Sequence, residues 1–142
     1  MELQKLDMEI NMLEINNKPL QGIIKSGIIL RKGEIAQLYI EDNAVVIGRS
    51  DGICPVGVVI QTWKFGRILN NPEAPSAEVE FRSFSGETDL YETDVTYPVN
   101  AMLFASKNGL LTTKRESSNN PSVGMVSEGP TAGSSALKFI WF

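Results

Sequence analysis

The densest cluster of groups able to hold a cation or move a proton is the run Glu87-Thr88-Asp89-Leu90-Tyr91-Glu92-Thr93-Asp94. Its carboxylates lack the Gly-centred spacing of a calcium loop, in which oxygen ligands recur at alternate positions and a bidentate Glu closes the ring. Two carboxylates can also serve as acid and base in glycoside hydrolysis. A sugar cleft normally presents several aromatic faces, and no spacing of aromatic and acidic residues singles out a catalytic pair here. The run therefore reads as a solvated loop or edge that discourages sheet-to-sheet association. Cys54, between Ile53 and Pro55 at the entry to an apolar segment, reads as a small buried hydrophobe rather than a nucleophile. A single Cys forms neither an internal disulfide nor a thiolate cluster.

What is missing narrows the chemistry further. The 142 residues include no His, which removes the commonest general base, the Ser-His-Asp and Cys-His nucleophile systems and every His-containing zinc site. No phosphate loop, nucleophile elbow or dinucleotide fingerprint occurs. Thirteen Lys and Arg against 17 Asp and Glu leave a net charge of −4 without a basic run, which weighs against a nucleic-acid partner. These absences weigh against most enzymes, and no cofactor or metal is expected.

The elements that would position any site are β throughout from Lys18 onward. Apolar, β-branched segments at Gly22 to Leu30, Ile35 to Ile40, Ala44 to Gly48 and Val56 to Thr62 are separated by turn residues at intervals of roughly 8–12 residues. Lys32-Gly33, Asp51-Gly52 and Asn108-Gly109 supply the positive φ that tight connections need, and Asn108-Gly109 joins Met102–Ala105 to Leu110–Thr112 as a hairpin. In the closing strand Leu137, Phe139 and Trp141 share one face, with Lys138, Ile140 and Phe142 on the other. A chain of this length buries roughly 68–70% of its unfolded surface, enough for a core without disulfides. The expected fold is all-β, a small β-barrel or β-sandwich, forming one domain over residues 18–142. The Pro-containing stretch 70–77 is expected as a loop between its halves, and the polar stretch 112–122 as a second loop.

The first 17 residues read differently. Leu3, Leu6, Ile10 and Leu13 recur at helical spacing, whereas Met8, Ile10 and Met12 alternate as a strand would. No cap precedes them. They are expected as an extended N-terminal arm shaped by a partner; a first strand or helix packed on its own domain is the competing reading. Their mix of charged and apolar residues does not resemble a secretory signal, and no apolar run approaches the roughly 20 residues of a membrane helix. No membrane partner is expected.

Two phrases echo each other. Cys54-Pro55-Val56-Gly57-Val58-Val59 and Pro121-Ser122-Val123-Gly124-Met125-Val126 place their glycines 67 residues apart. The same offset lays Lys32-Gly33-Glu34 over Val99-Asn100-Ala101. A Gly inside such a strand fits close approach of another backbone at a bulge or corner. Either the chain holds an internal repeat, or the phrases are the turn-strand-turn vocabulary of any β protein.

In two parts the order of these phrases resembles the capsid decoration (cement) proteins of tailed bacteriophages. The first runs from Lys25-Ser26-Gly27-Ile28-Ile29-Leu30-Arg31-Lys32-Gly33-Glu34 through Ala44–Arg49 to Val56–Val59. The second runs from Pro98-Val99-Asn100-Ala101 through Asn108-Gly109 and Val123-Gly124-Met125-Val126 to Leu137–Trp141. The likeness covers about residues 22–142 and departs at Asn100, where the family usually has Gly. It implies a β-barrel virion protein that is not an enzyme, commonly a homotrimer, made in the host cytoplasm. Such a protein binds the outer surface of the expanded head and stabilises it by bridging major capsid protein subunits. On that reading Met8, Ile10, Met12 and Ile15 are the expected capsid contacts of the arm, and Trp63, Phe65 and Trp141 the expected subunit contact. For each, a place in the core is the competing reading. A tail, baseplate or fibre module built on a similar barrel is the alternative function. A carbohydrate-binding or acid-base glycosidase domain is the least favoured.

Overall fold

In the final strand, residues Leu137, Phe139 and Trp141 are buried and Lys138 and Ile140 are exposed, the period-2 pattern of a strand with one wet face. A computed structural model describes residues 19–64 and 74–142, and among them all regular structure is β. The strands are β1 (Leu20–Ile23), β2 (Ile35–Glu41), β3 (Ala44–Arg49), β4 (Gly57–Trp63), β5 (Ser76–Glu80), β6 (Phe84–Thr88), β7 (Met102–Ala105), β8 (Leu111–Thr112), β9 (Ser122–Glu128) and β10 (Leu137–Trp141). The expected all-β fold is therefore what the chain adopts.

The strands form two five-stranded antiparallel sheets, ordered β1-β5-β4-β2-β3 and β6-β10-β9-β7-β8. The two orders are the same when β1 to β5 are laid over β6 to β10. The first sheet nearly closes into a barrel, because Ile24 bridges Ile47 and Lys25 N–H donates to Ile47 O at 2.8 Å. The second is a half-barrel in which Tyr91 bridges Leu111 and Glu92 N–H donates to Leu111 O at 2.9 Å.

The echo is thus a structural repeat, and it extends to single hydrogen bonds. Gly33 N–H donates to Val59 O at 2.8 Å and, 67 residues on, Asn100 N–H donates to Val126 O at 2.8 Å. Glu34 N to Arg31 O matches Ala101 N to Pro98 O, and Val59 N to Glu34 O matches Val126 N to Ala101 O. Both Gly33 and Asn100 have positive φ, 96° and 70°, and Asn tolerates that region better than other residues with a side chain. The pairs Ile35↔Val58 and Ala36↔Gly57 become Met102↔Met125 and Leu103↔Gly124. A one-residue bulge at Ile60 recurs at Ser127. A Cβ on Gly57 would collide with the carbonyl oxygen of Glu80, and one on Gly124 with that of Ile140. Gly is required at both places for the same close backbone approach.

Each unit has its own core. Ile24, Leu30, Ala36, Ile47, Val59, Ala77 and Val79 fill the first. Tyr97, Leu103, Ala105, Leu111, Val123, Val126, Leu137, Phe139 and Trp141 fill the second, which also takes in Ile35 and Val58. Ile35 and Val58 sit on the face of β2 and β4 opposite Ala36 and Val59, so the outside of the first unit is the floor of the second. Gly109 O accepts a hydrogen bond from Ile35 N–H at 2.7 Å across this junction.

Several expectations need correction. Of the segment expected to run from Gly22 to Leu30, only Gly22 and Ile23, the end of β1, are strand, with a bridge at Ile24. Ile24 and Leu30 plug the barrel core instead, as Tyr91 and Tyr97 plug the other. Residues 70–73 of the expected loop lie outside the described residues, while Ser76 and Ala77 belong to β5 and are fully buried. The two sheets divide after Glu80, not within 70–77. The β2–β3 turn is Asp42-Asn43, both with positive φ, which does the work usually given to Asn-Gly.

Candidate contact surface

Three side chains of the acidic run, Thr88, Asp89 and Glu92, hold structure. Thr88 Oγ1 accepts from Leu90 N–H at 2.9 Å, Asp89 Oδ1 from the Ser135 hydroxyl at 3.3 Å, and Glu92 Oε1 from Asn108 Nδ2 at 3.1 Å. Among the described residues no three of Cys, Asp and Glu converge as metal ligands would. Glu87 and Asp89 line a cavity of about 400 Å³ together with Arg31 and Lys32, so charges of both signs face one another there. Tyr97 is buried, and its hydroxyl lies 2.5 Å from Glu92 O and 3.1 Å from Leu111 O, donating to backbone. Burial first, and then the charges of Glu92 and Asp94, push its phenol well above the ordinary value.

The most buried charge, Glu34, is also structural. Its carboxylate accepts from Arg31 N–H at 2.7 Å and from Arg49 Nε at 2.5 Å. That bond is the main cause that raises the Arg49 guanidinium above its already high ordinary value, and its second arm donates to Ile29 O at 2.6 Å. Arg49 also packs under Gly109, so the ion pair braces the junction between the units.

Expected site residues divide sharply. Met8, Ile10, Met12, Ile15 and Phe65 lie outside the described residues. Trp63 ends β4, half-buried, and with Ile24, Ile28, Leu30 and Pro75 lines an apolar cavity of about 240 Å³. Trp141, expected in a subunit contact, is 4% exposed and belongs to the second core, because it falls on the inward face of β10 beside Phe139. That assignment is corrected. Cys54, expected to be buried, is exposed in the loop before β4. The neighbouring apolar residues did not carry it inward, since the chain at Asp51–Cys54 follows a surface turn in which Asp51 Oδ1 accepts from Ile53 N–H.

Composition and spacing did not single out the exposed apolar side chains. Ile29, Leu38, Ile40, Val45, Val99, Met102 and Ile140 are all exposed. Leu38, Ile40 and Val45 share one face of the β2–β3 ribbon, because Leu38 pairs with Ile47 and Ile40 with Val45. Met102 pairs with Met125, which pairs with Ile140, giving an apolar row across the outside of β7, β9 and β10. The signal was present as Leu-x-Ile in Leu38-Tyr39-Ile40 and as the second face of β10, but alternation alone does not say which face meets water. A surface of this kind binds by burying apolar area rather than by chemistry. No protein-family model and no curated protein matches this chain.

Proposed function

We propose that this chain is a capsid decoration protein of a tailed bacteriophage. As a homotrimer made in the host cytoplasm, it binds the outer surface of the expanded head and bridges major capsid protein subunits without catalysing a reaction. The observation that carries this reading is a tandem pair of like β units, each with apolar side chains left on its outside. Of the acidic groups that sequence singled out, Asp89 and Glu92 meanwhile accept hydrogen bonds from other parts of the chain. Rigid, repeated modules with modest apolar patches suit a protein that gains affinity from many weak contacts repeated by the symmetry of a shell. The strand and turn order supports the same reading through its likeness to the decoration family. The net charge of −4 suits a protein facing away from a packaged genome.

The test is co-sedimentation of the purified chain with expanded heads of its own phage, followed by heating of decorated and bare heads. Binding with a raised temperature of head rupture is the expected result. Failure to bind under every salt condition overturns the proposal, and gold-labelled chain found on tails instead of heads replaces it with the tail-module reading.

A further inference from the structure

The repeat makes the junction inside the chain a template. Within one chain the outer row Ile35–Val58 of the first unit is sealed by the second unit, whose inward residues Ala105 and Trp141 lie in the same buried cluster. The equivalent outer row of the second unit is Met102–Met125, continued by Ile140, and there Met102 and Ile140 are each 41% exposed. The equivalents of the sealing residues in the first unit are also uncovered. Ala105 corresponds to Leu38 by the 67-residue offset and Trp141 to Phe81 by the 60-residue offset that lays β5 on β10; Leu38 and Phe81 are 39% and 37% exposed. Leu38 lies two residues beyond Ala36 on the same face of β2 and Phe81 one residue beyond the end of β5, so both stand at the end of the first barrel where Ala36 pairs with Gly57 and Glu80 with Val58. The β2–β3 ribbon runs beyond its equivalent and carries the 80%-exposed Ile40 further out.

We propose that a second copy of this chain covers these surfaces by repeating the internal junction. The barrel mouth of one chain, formed by Leu38, Ile40 and Phe81, seats on the Met102–Met125–Ile140 row of the next. The contact is head-to-tail: one patch of each copy meets the other patch of its neighbour, so that repetition closes a ring in which like units alternate around the axis. Each chain leaves one socket and one plug, both apolar, and the occupied version of the same pair shows how they fit. The inference rests on the repeat and not on what the oligomer binds, so a failure of capsid binding leaves it standing.

Two double variants test it by sedimentation equilibrium. Met102→Asp with Ile140→Asp blocks the row; Leu38→Asp with Ile40→Asp blocks the mouth. All four positions are at least 39% exposed, so native far-UV circular dichroism is expected of both. Wild type is expected above the 15.6 kDa of one chain, each variant alone at one-chain mass, and an equimolar mixture at two-chain mass, because one intact row and one intact mouth remain. A wild type that stays at one-chain mass up to its solubility limit overturns the proposal. So does a folded variant that keeps the wild-type mass, or a mixture of folded variants without a two-chain species. Should either aspartate pair disturb the fold, the single variants Met102→Lys and Ile40→Lys serve in the same scheme with the same outcomes.

Discussion

Replacing Tyr97 with phenylalanine separates two effects of one buried phenol. At neutral pH the variant keeps the ring in the second core and its edge-to-face contact with Tyr91, at 5.2 Å between ring centres, but loses the donor that Glu92 O and Leu111 O share. Leu111 O still receives Glu92 N–H, so one carbonyl is left short, a cost of about 1–2 kcal/mol. With an unfolding entropy of about 2.1 cal/mol/K per residue, that lowers Tm by about 3–7 °C. At high pH the order changes. The folded phenol titrates above its unfolded value of roughly 10, so between those two values the unfolded chain has lost a proton that the native chain keeps. The stability tied to this group is whole below the unfolded pKa and falls as pH rises beyond it, by about 1.4 kcal/mol per pH unit. The Tyr97→Phe variant has no phenol to titrate and carries no such penalty, so the two stability curves converge and cross about one unit above the ordinary phenol pKa. Urea midpoints of both proteins from about pH 7 to about pH 11.5 measure the difference, in which every other titrating group cancels. A gap that stays constant over that range would refute the reasoning, since it would mean that the phenol ionises as freely in the folded chain as in the unfolded one.

Other outcomes follow from the same contacts. Gly57→Ala and Gly124→Ala each force a Cβ into a backbone carbonyl and are expected to cost similar amounts, about 1–3 kcal/mol in chemical denaturation; a neutral effect at one and a large one at the other would break the equivalence of the two units. Arg82, hydrogen-bonded to Glu80, holds that carboxyl below its ordinary value. Stability from this pair is present above the unfolded carboxyl pKa and is lost as pH falls through the folded one, and Glu80→Gln should flatten that part of the acid-unfolding curve. The native protein should titrate one thiol with a disulfide reagent before any unfolding, because Cys54 is exposed; reaction only in denaturant contradicts its placement.

Much of the architecture is legible along the chain because it obeys local rules. Alternation in Leu137–Trp141, the Asn108-Gly109 hairpin and the left-handed conformation at Gly33 depend on residues within a few positions of one another. The 67-residue echo is visible in the sequence as two Val-Gly-apolar-Val phrases, but its meaning needed the partners, Glu80 and Ile140, whose carbonyls forbid a side chain there. Ser76 and Ala77 were unreadable as strand, since small residues next to Pro75 look like loop and become β only by pairing with Gly22, Ile23, Thr62 and Trp63.

By itself, then, the sequence determined that this chain is β, that it has no His and a single Cys, and where most of its turns fall, because periodicity, residue type and turn chemistry are properties of neighbours. Only the tertiary structure decided which apolar residues are covered and which remain open. Ile35 and Met102 hold equivalent positions in the two units, yet one is fully buried and the other 41% exposed, because burial is conferred by a surface brought from elsewhere in the chain. The first unit has the second as its cover, and among the described residues nothing covers the equivalent row of the second.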